Sequence, residues 1–378
     1  MLSQPPLWFI LVAFLAALGP LVFIHEMGHY LVARVFGVGA ESFSIGFGRE
    51  IAGWTDKSGT RWKVGWLPLG GYVKFVGDLN PVSMPDGEAE EKLTPQERRR
   101  SFNHRPIWQR FLIVLAGPAA NFVLAILIFA AFFAAIGIPR TPNVVGQVQP
   151  ASVAERIGLK PGDRIESIAG QSVESFEDIR RIVSLRPGET VELRIARDER
   201  PIVTEARLGS SEFKDEFGQS FRIGVLGIVQ APRVPQRVSA LDLLPAAIDY
   251  TFDLTRSMID GLGQIVTGRR STDDLGGPLR MAQIAGQQAS LGLFEFIQLV
   301  ALFSINLGFI NLLPVPMLDG GHLALYTVEA VQRRPVSLQA QEWAFRGGLA
   351  FLLALLLFTT LNDLGSFGLW ESVGRLIG

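Results

Sequence analysis

The chain has no cysteine and only four histidines in 378 residues. Without cysteine there is no disulfide framework. Any zinc site must then take its ligands from His, Asp or Glu. Charge is scarce as well: Asp, Glu, Lys and Arg make up 19 % of the chain, against roughly 25 % in an average soluble protein. The formal net charge is −1, so no global basic field exists to attract nucleic acid. No G-x-S-x-G elbow occurs, which leaves a serine hydrolase without support. The first six residues lack Lys and Arg, and no small-residue cleavage site follows them. The N-terminal apolar run therefore reads as a retained transmembrane helix and not as a signal peptide.

What the chain has in abundance is apolar sequence, 48 % of all residues. Four stretches have membrane character: Leu7–Ile24, continuing helically to about Phe36; Phe111–Ile138, whose one strongly polar side chain is Asn121; Leu291–Leu313; and Gly347–Leu361. The last falls short of the about 20 residues a span needs and must borrow from Trp343–Arg346 or cross a thinned region. Arginines set the orientation. Arg34, Arg98, Arg99, Arg100 and Arg105 flank the first loop, and Arg333, Arg334 and Arg346 lie between the last two spans. Both loops belong in the cytoplasm. The N-terminus, the stretch from Pro139 to about Ser290, and the C-terminus then fall outside.

Between the spans the pattern changes. Ser42–Gly77 is rich in Gly and aromatics, with Trp62, Val64 and Trp66 alternating against Lys63 and Gly65, which predicts a β-hairpin. Asp78–Arg100 reads as a polar linker. From about Asn143 to Leu208 a small folded domain is expected. It has strands at Val144–Val148, Arg164–Ile168 and Thr190–Ala196, a short helix capped by Ser152, and a helical stripe of Phe176, Ile179, Ile182, Val183 and Leu185. Leu241–Ile265 is amphipathic and suits a membrane surface.

The chemistry sits at the end of the first apolar run: His25-Glu26-Met27-Gly28-His29. Histidines four apart share one helix face and can grip one metal ion, and the neighbouring glutamate can act as base on an activated water. Ionisable residues ending an apolar run are expensive without such a purpose. Catalytic zinc takes three protein ligands and keeps one position open. A second unusual place is Asn311 to His322, where an apolar span breaks at Pro314, Pro316 and Gly320-Gly321 around Asp319. Asp319 is either the third ligand or a helix-end carboxylate capping a turn; the residues alone leave both open.

These residues carry a resemblance. Phe23 to Tyr30, Phe43-Ser44-Ile45-Gly46-Phe47-Gly48, Pro68-Leu69-Gly70-Gly71-Tyr72-Val73-Lys74, Ala116-Gly117-Pro118-Ala119-Ala120-Asn121-Phe122, Ser304-Ile305-Asn306-Leu307-Gly308 and Asn311 to His322 resemble, in order and over nearly the full length, the site-2 protease family of intramembrane zinc metalloproteases, in its bacterial regulator-of-sigma-E protease branch. Ala151 to Ala154 and Gly158 to Ile165 resemble the protease-associated type of PDZ domain. One such domain is evident.

The resemblance implies a polytopic α-helical membrane protein with four transmembrane helices, a membrane-associated β-hairpin region and one extracytoplasmic α+β PDZ domain. Its parts would be 1–37, first span with metal motif; 38–105, hairpin and linker; 106–138, second span; 139–232, periplasmic PDZ domain; 233–289, juxtamembrane amphipathic region; and 290–378, third and fourth spans with the second motif. It implies that His25, His29 and Asp319 bind Zn2+, that Glu26 is the catalytic acid/base, and that Asn311 holds the substrate backbone or the oxyanion. Gly46, Phe47, Gly48, Gly70 and Gly71 would contact a substrate unwound into a strand. The implied partners are single-span membrane proteins of anti-sigma-factor type, remnant signal peptides, an upstream site-1 protease acting on the same substrate, and membrane lipid. The implied location is the bacterial inner membrane, with the active site toward the cytoplasm. Two other readings compete: a membrane PDZ scaffold with a vestigial metal site, and a surface metalloprotease anchored by one helix. The second needs a third ligand soon after Tyr30, yet no His occurs before His104.

Overall fold

Long runs of Leu, Ile, Val, Phe and Ala without charge leave helix as the conformation that satisfies every backbone group internally, and the protein uses it at length. The computed structural model describes residues 5–77, 94–214, 220–232, 234–237, 239–267 and 276–366. The chain divides into two compact units, one made of Met1–Ala130 with Ala247–Gly378 and the other of Ala131–Ala246.

The first unit opens with helix α1 (Leu7–Val35), then strands β1 (Ala40–Thr55) and β2 (Arg61–Phe75), the short helix α2 (Pro95–Arg100) and helix α3 (Ile107–Ile136), whose end passes into the second unit. Among the described residues four helices are long and apolar enough to cross a membrane: Leu7–Val35, Ile107–Ile136, Leu293–Leu312 and Gln339–Gly365. Only 17–28 % of each one's most apolar stretch is buried inside the chain, so most of that surface calls for another apolar surrounding. The last helix runs over Leu338–Ser366, well beyond the Gly347–Leu361 expected from hydropathy. Its added turns carry Gln339, Gln341, Glu342 and Arg346, which hide them from an apolar-run criterion.

The hairpin is more elaborate than alternation predicts. Residues Ser42 to Ile45 of β1 pair with Tyr72 to Lys74 and Gly71 running the opposite way, and also with Arg61 to Val64, the numbers rising together. Ala52 to Thr55 then fold back onto Arg61 to Val64. Two continuous strands thus supply four rungs, with β1's first half in the middle and the Gly71–Phe75 half of β2 on an edge. Aromatic stacking fixes the interior: the Phe43 and Trp62 rings lie 4.5 Å apart and nearly parallel, and Trp54 covers Trp62 at 5.9 Å. Asp56 closes the turn, accepting from the Trp62 indole, the Ser58 hydroxyl and the Ser58 and Thr60 amides. Of the linker expected at Asp78–Arg100, residues 78–93 lie outside the described residues. The remainder is α2, opened by a capping box between Thr94 and Glu97.

The second unit is the small α+β domain. Its strands are β3 (Ile138–Arg140), β4 (Val145–Val148), β5 (Arg164–Ile168), β6 (Gln171–Ser172), β7 (Thr190–Arg197), β8 (Arg200–Arg207), β9 (Gly209–Lys214), β10 (Ser220–Val225), β11 (Ile228–Gln230) and β12 (Val234–Gln236), with helices α4 (Val153–Arg156) and α5 (Phe176–Ser184). A four-stranded sheet in the order β6-β5-β7-β8 is flanked by the pairs β4–β11, β9–β10 and β3–β12. Ile165, Ile168, Leu193 and Ile195 from the sheet and Ile179, Ile182 and Val183 from α5 form one buried core. Of the predicted stripe, Leu185 is 73 % exposed; it falls just past the helix end. Ser152 caps α4 by accepting from the Glu155 amide. Val225 to Ile228 contributes a buried Leu226 and the start of a strand on β4.

The first unit resumes with α6 (Leu243–Val266), α7 (Pro278–Leu291), α8 (Leu293–Leu312), α9 (Asp319–Gln332) and α10 (Leu338–Ser366). On α6 only Ala247 and Thr251 are buried; Leu244, Ile248, Phe252 and Ile259 are exposed. Helices α7 and α9 have no counterpart in the hydropathy pattern.

Candidate metal centre

Helices α1 and α3 meet in an alignment that builds the site. Ile113, Gly117 and Asn121, each four residues apart on α3, run along His29 and His25 on α1. His29 donates from Nδ1 to the Ile113 carbonyl at 2.9 Å. A Cβ on Gly117 would lie 2.1 Å from His29 Nε2, so a side chain at 117 is sterically incompatible with this imidazole. Asn121 is fully buried, its amide 3.1 Å from His25 Nδ1. Its Oδ1 is buried without a partner, and a half-turn of the amide brings that oxygen onto Nδ1–H. Ser304 Oγ on α8 donates to the Asn121 carbonyl at 2.8 Å and locks α3 in place. Both imidazoles are thereby held with Nε2 free.

The two Nε2 atoms lie 3.3 Å apart. Asp319, the first residue of α9, places Oδ2 3.1 Å from His25 Nε2 and 3.5 Å from His29 Nε2. With both Nδ1 atoms donating elsewhere, two nitrogen lone pairs and a buried carboxylate oxygen converge with no proton between them. Such a set repels itself unless a cation sits among the three. Ligands on a tetrahedral zinc with bonds of about 2.0–2.1 Å are about 3.3–3.4 Å apart, so the triangle fits that ion. Among the described residues these three form the one cluster of His and acidic side chains able to hold a metal.

The cavity beside them measures about 370 Å³ and holds Glu26, Phe47, Gly70, Gly71, Asn311 and His322 along its walls. Glu26 accepts from the Val73 amide, which ties the carboxylate to the edge of β2. Gly71 allows the contact: a Cβ there would lie 2.8 Å from the Ser44 carbonyl, 2.9 Å from Val22 Cγ1 and 3.2 Å from Glu26 Cγ. His322 packs its ring 5.0 Å from Phe345 and stays outside the triangle. The structure therefore gathers His25, Glu26, His29, Asp319, Asn311, Phe47, Gly70 and Gly71. Gly46 and Gly48 do not line the cavity. They lie inside β1 at φ of 84° and 87°, packed close to the Leu67 carbonyl and the Trp66 indole. Asn121 and Gly117 are the site residues that motif reading passes over. A lone amide in an apolar span was the available signal, since such a group is costly unless paired.

Residues 13–355 match the model of peptidase family M50. The chain belongs to that family. A relative from Agrobacterium fabrum, named as a zinc metalloprotease, is 42 % identical over 360 residues, 94 % of this chain and 96 % of that protein. One from Mesorhizobium japonicum, named likewise, is 43 % identical over 359 residues, 94 % and 98 % of the two chains. The metalloprotease MmpA of Caulobacter vibrioides is 37 % identical over 389 residues, 97 % and 98 %. The PDZ domain of an SdrC-like protein from Listeria monocytogenes is 19 % identical at a TM-score of 0.19, covering 25 % of this chain and 93 % of that one.

Proposed function

We propose that this M50 protease is an intramembrane zinc endopeptidase that cuts single-span membrane proteins within or near the bilayer. The observation that carries the reading is the donor triangle of His25, His29 and Asp319 with Glu26 beside it, built on a helix of membrane-spanning length. At about 1.5 Å per residue, His25 lies about 27 Å along α1 from Leu7, and His29 about 9 Å before Val35. The basic residues beyond Val35 make that nearer end the cytoplasmic one, with the PDZ unit on the periplasmic side of an inner membrane.

A zinc ion held there supplies Lewis acidity to the scissile carbonyl and acidity to a water. Glu26 takes the proton of the attacking water and delivers it to the leaving amine. Asn311 donates its amide to the substrate backbone or to the oxygen that gains charge. A helical peptide bond has both polar groups engaged, so substrate must unwind first. The edge of β2 offers a template: Val73 turns its amide away from β1 toward Glu26, and by strand alternation Gly71 and Phe75 face the same way. Strand addition along this edge delivers an extended backbone to the cavity. Anti-sigma-factor-like proteins and remnant signal peptides, trimmed outside by a site-1 protease, are the substrates this arrangement suits.

The test is Glu26→Gln and Asp319→Ala beside wild type, scored for zinc content and for cleavage of a transmembrane substrate. Glu26→Gln keeps about one zinc and loses turnover by a factor of about 10³ or more, while Asp319→Ala loses both. Undiminished turnover in Glu26→Gln overturns the reading; wild type without zinc supports a scaffold with a vestigial site.

A further inference from the structure

A second cavity of the helical unit lies apart from the metal centre. It measures about 940 Å³ and opens between the start of α3 and the end of α9. Trp108, Phe111, Leu112 and Val331 give it apolar walls; Trp108 is 57 % exposed and Val331 78 %. Its rim carries Arg333 and Arg334. Glu329 also faces the cavity, but Arg110 neutralises it at 3.0 Å and lies over the Tyr326 ring. Neither Arg333 nor Arg334 has a charged or hydrogen-bonded partner among the described residues, so the cavity has an apolar floor and an uncompensated double positive rim.

We infer that this cavity binds an anionic phospholipid, its phosphate on Arg333 and Arg334 and one acyl chain along Trp108, Phe111 and Leu112. Charge complementarity selects the headgroup: two guanidiniums offer paired donors to phosphate oxygens. The apolar walls select an acyl chain over a soluble phosphate compound. Trp108 and the arginines sit at one end of α3, and these residue types mark headgroup level in membrane helices. A basic pocket between helices on the positively flanked side is where anionic lipid headgroups are held. Because α9 begins at Asp319, an occupant here bears on the helix that supplies the third metal donor.

The inference rests on the reading of these helices as bilayer-spanning, and its test separates the two. Full-length protein in neutral detergent is incubated with phosphatidylglycerol or with phosphatidylcholine of the same acyl chains, and retained lipid is counted by native mass spectrometry. Wild type is expected to retain phosphatidylglycerol at least about tenfold over phosphatidylcholine. The double variant Arg333→Gln/Arg334→Gln loses that preference, and Leu112→Trp, which fills the acyl slot, lowers retention of both lipids. Equal retention of the two lipids by wild type, or an unchanged preference in the double variant, overturns the site. A dimer that disappears in the double variant assigns the cavity to a second copy and overturns it too. Carbonate extraction scores the membrane reading separately: a chain that stays in the membrane pellet without headgroup preference sinks the lipid site alone.

Discussion

At the scale of single residues, the centre depends on groups that neither bind metal nor touch substrate. With its amide turned so that Oδ1 meets Nδ1–H, the buried Asn121 accepts from His25. Asn121→Ala is expected to weaken zinc binding about 10–100-fold, while Asn121→Asp, which keeps an acceptor, retains most of the affinity. Competition with a chromogenic chelator measures this directly, and equal affinity for all three proteins removes Asn121 from the site. Gly71 bears on Glu26, the proposed base, and not on the proposed metal donors. The Cβ of Gly71→Ala would lie within 3.2 Å of Ser44, Val22 and Glu26, so β2 must shift away from α1. Turnover should fall about a hundredfold with zinc content unchanged, since a displacement of about 1 Å in a catalytic group is enough for that. A full-rate Gly71→Ala enzyme shows that the strand yields harmlessly. The metal helix was legible from the sequence because two His and a Glu at helical spacing are rare at the end of an apolar run. Gly71 was marked only as a substrate contact implied by the resemblance; that it spaces a strand from Glu26 depends on a register no local pattern encodes.

At the scale of elements, Asp363 near the end of α10 is 2 % exposed and accepts from the Gly277 amide at 2.9 Å and the Arg280 amide at 3.0 Å. It thus caps the first turn of α7 from a different helix. Asp363→Ala should destabilise α7 by about 1–2 kcal/mol, seen as faster hydrogen exchange over 277–291 with exchange in α1 unchanged. Unaltered exchange there would falsify the cap. The same helix shows why parts of the fold escape a reading of hydropathy. The buried face of α7 is Ala282, Ala285 and Gly286, small residues that let it lie against Ile10, Ala13 and Phe14 of α1. Close backbone approach needs little apolar bulk and leaves no strong periodic signal. Helix α9 is hidden likewise by Gly320, Gly321 and His322 at its start.

In the second unit the strand Arg164–Ile168 was legible, whereas the fastening of the turn before it was not. Asp163 is buried; Arg197, far along the chain, holds it through two bonds of 2.7 Å, and the Lys160 amide adds a third at 2.8 Å. Burial alone pushes the Asp163 carboxyl up, but the hydrogen bonds from Arg197 and Lys160 outweigh it and hold the group below the usual carboxylate range. The folded-state value is thus lower than the unfolded one of about 3.9. The stabilisation is complete above about pH 4 and is lost as pH falls through the folded value below that. Unfolding followed down that window should show this unit weakening in wild type but much less in Asp163→Asn. At neutral pH, Asp163→Ala should be less stable, because the Lys160 amide loses its acceptor and Arg197 its partner.

At the scale of the whole molecule, the absence of cysteine makes topology unusually easy to test. Single cysteines placed at exposed Glu199 in the second unit and at Lys57 in the hairpin turn can be labelled with no background. A membrane-impermeant maleimide should reach Glu199→Cys and leave Lys57→Cys unlabelled until the inner membrane is opened. The reverse pattern inverts the chain in the bilayer and puts the metal centre on the outer side. The metal itself ties distant parts of the sequence together. His25 and His29 lie on the first helix and Asp319 nearly 300 residues later, both inside the helical unit, while residues 131–246 supply none of the donors. Zinc at a hundred times its dissociation constant stabilises a fold that binds it only when native by about 2.7 kcal/mol. Chelation should therefore lower the thermal transition of the helical unit and leave that of the second unit where it was. Loss of both transitions together would mean that the two units unfold as one and that the metal stabilises more of the chain than the helices holding it.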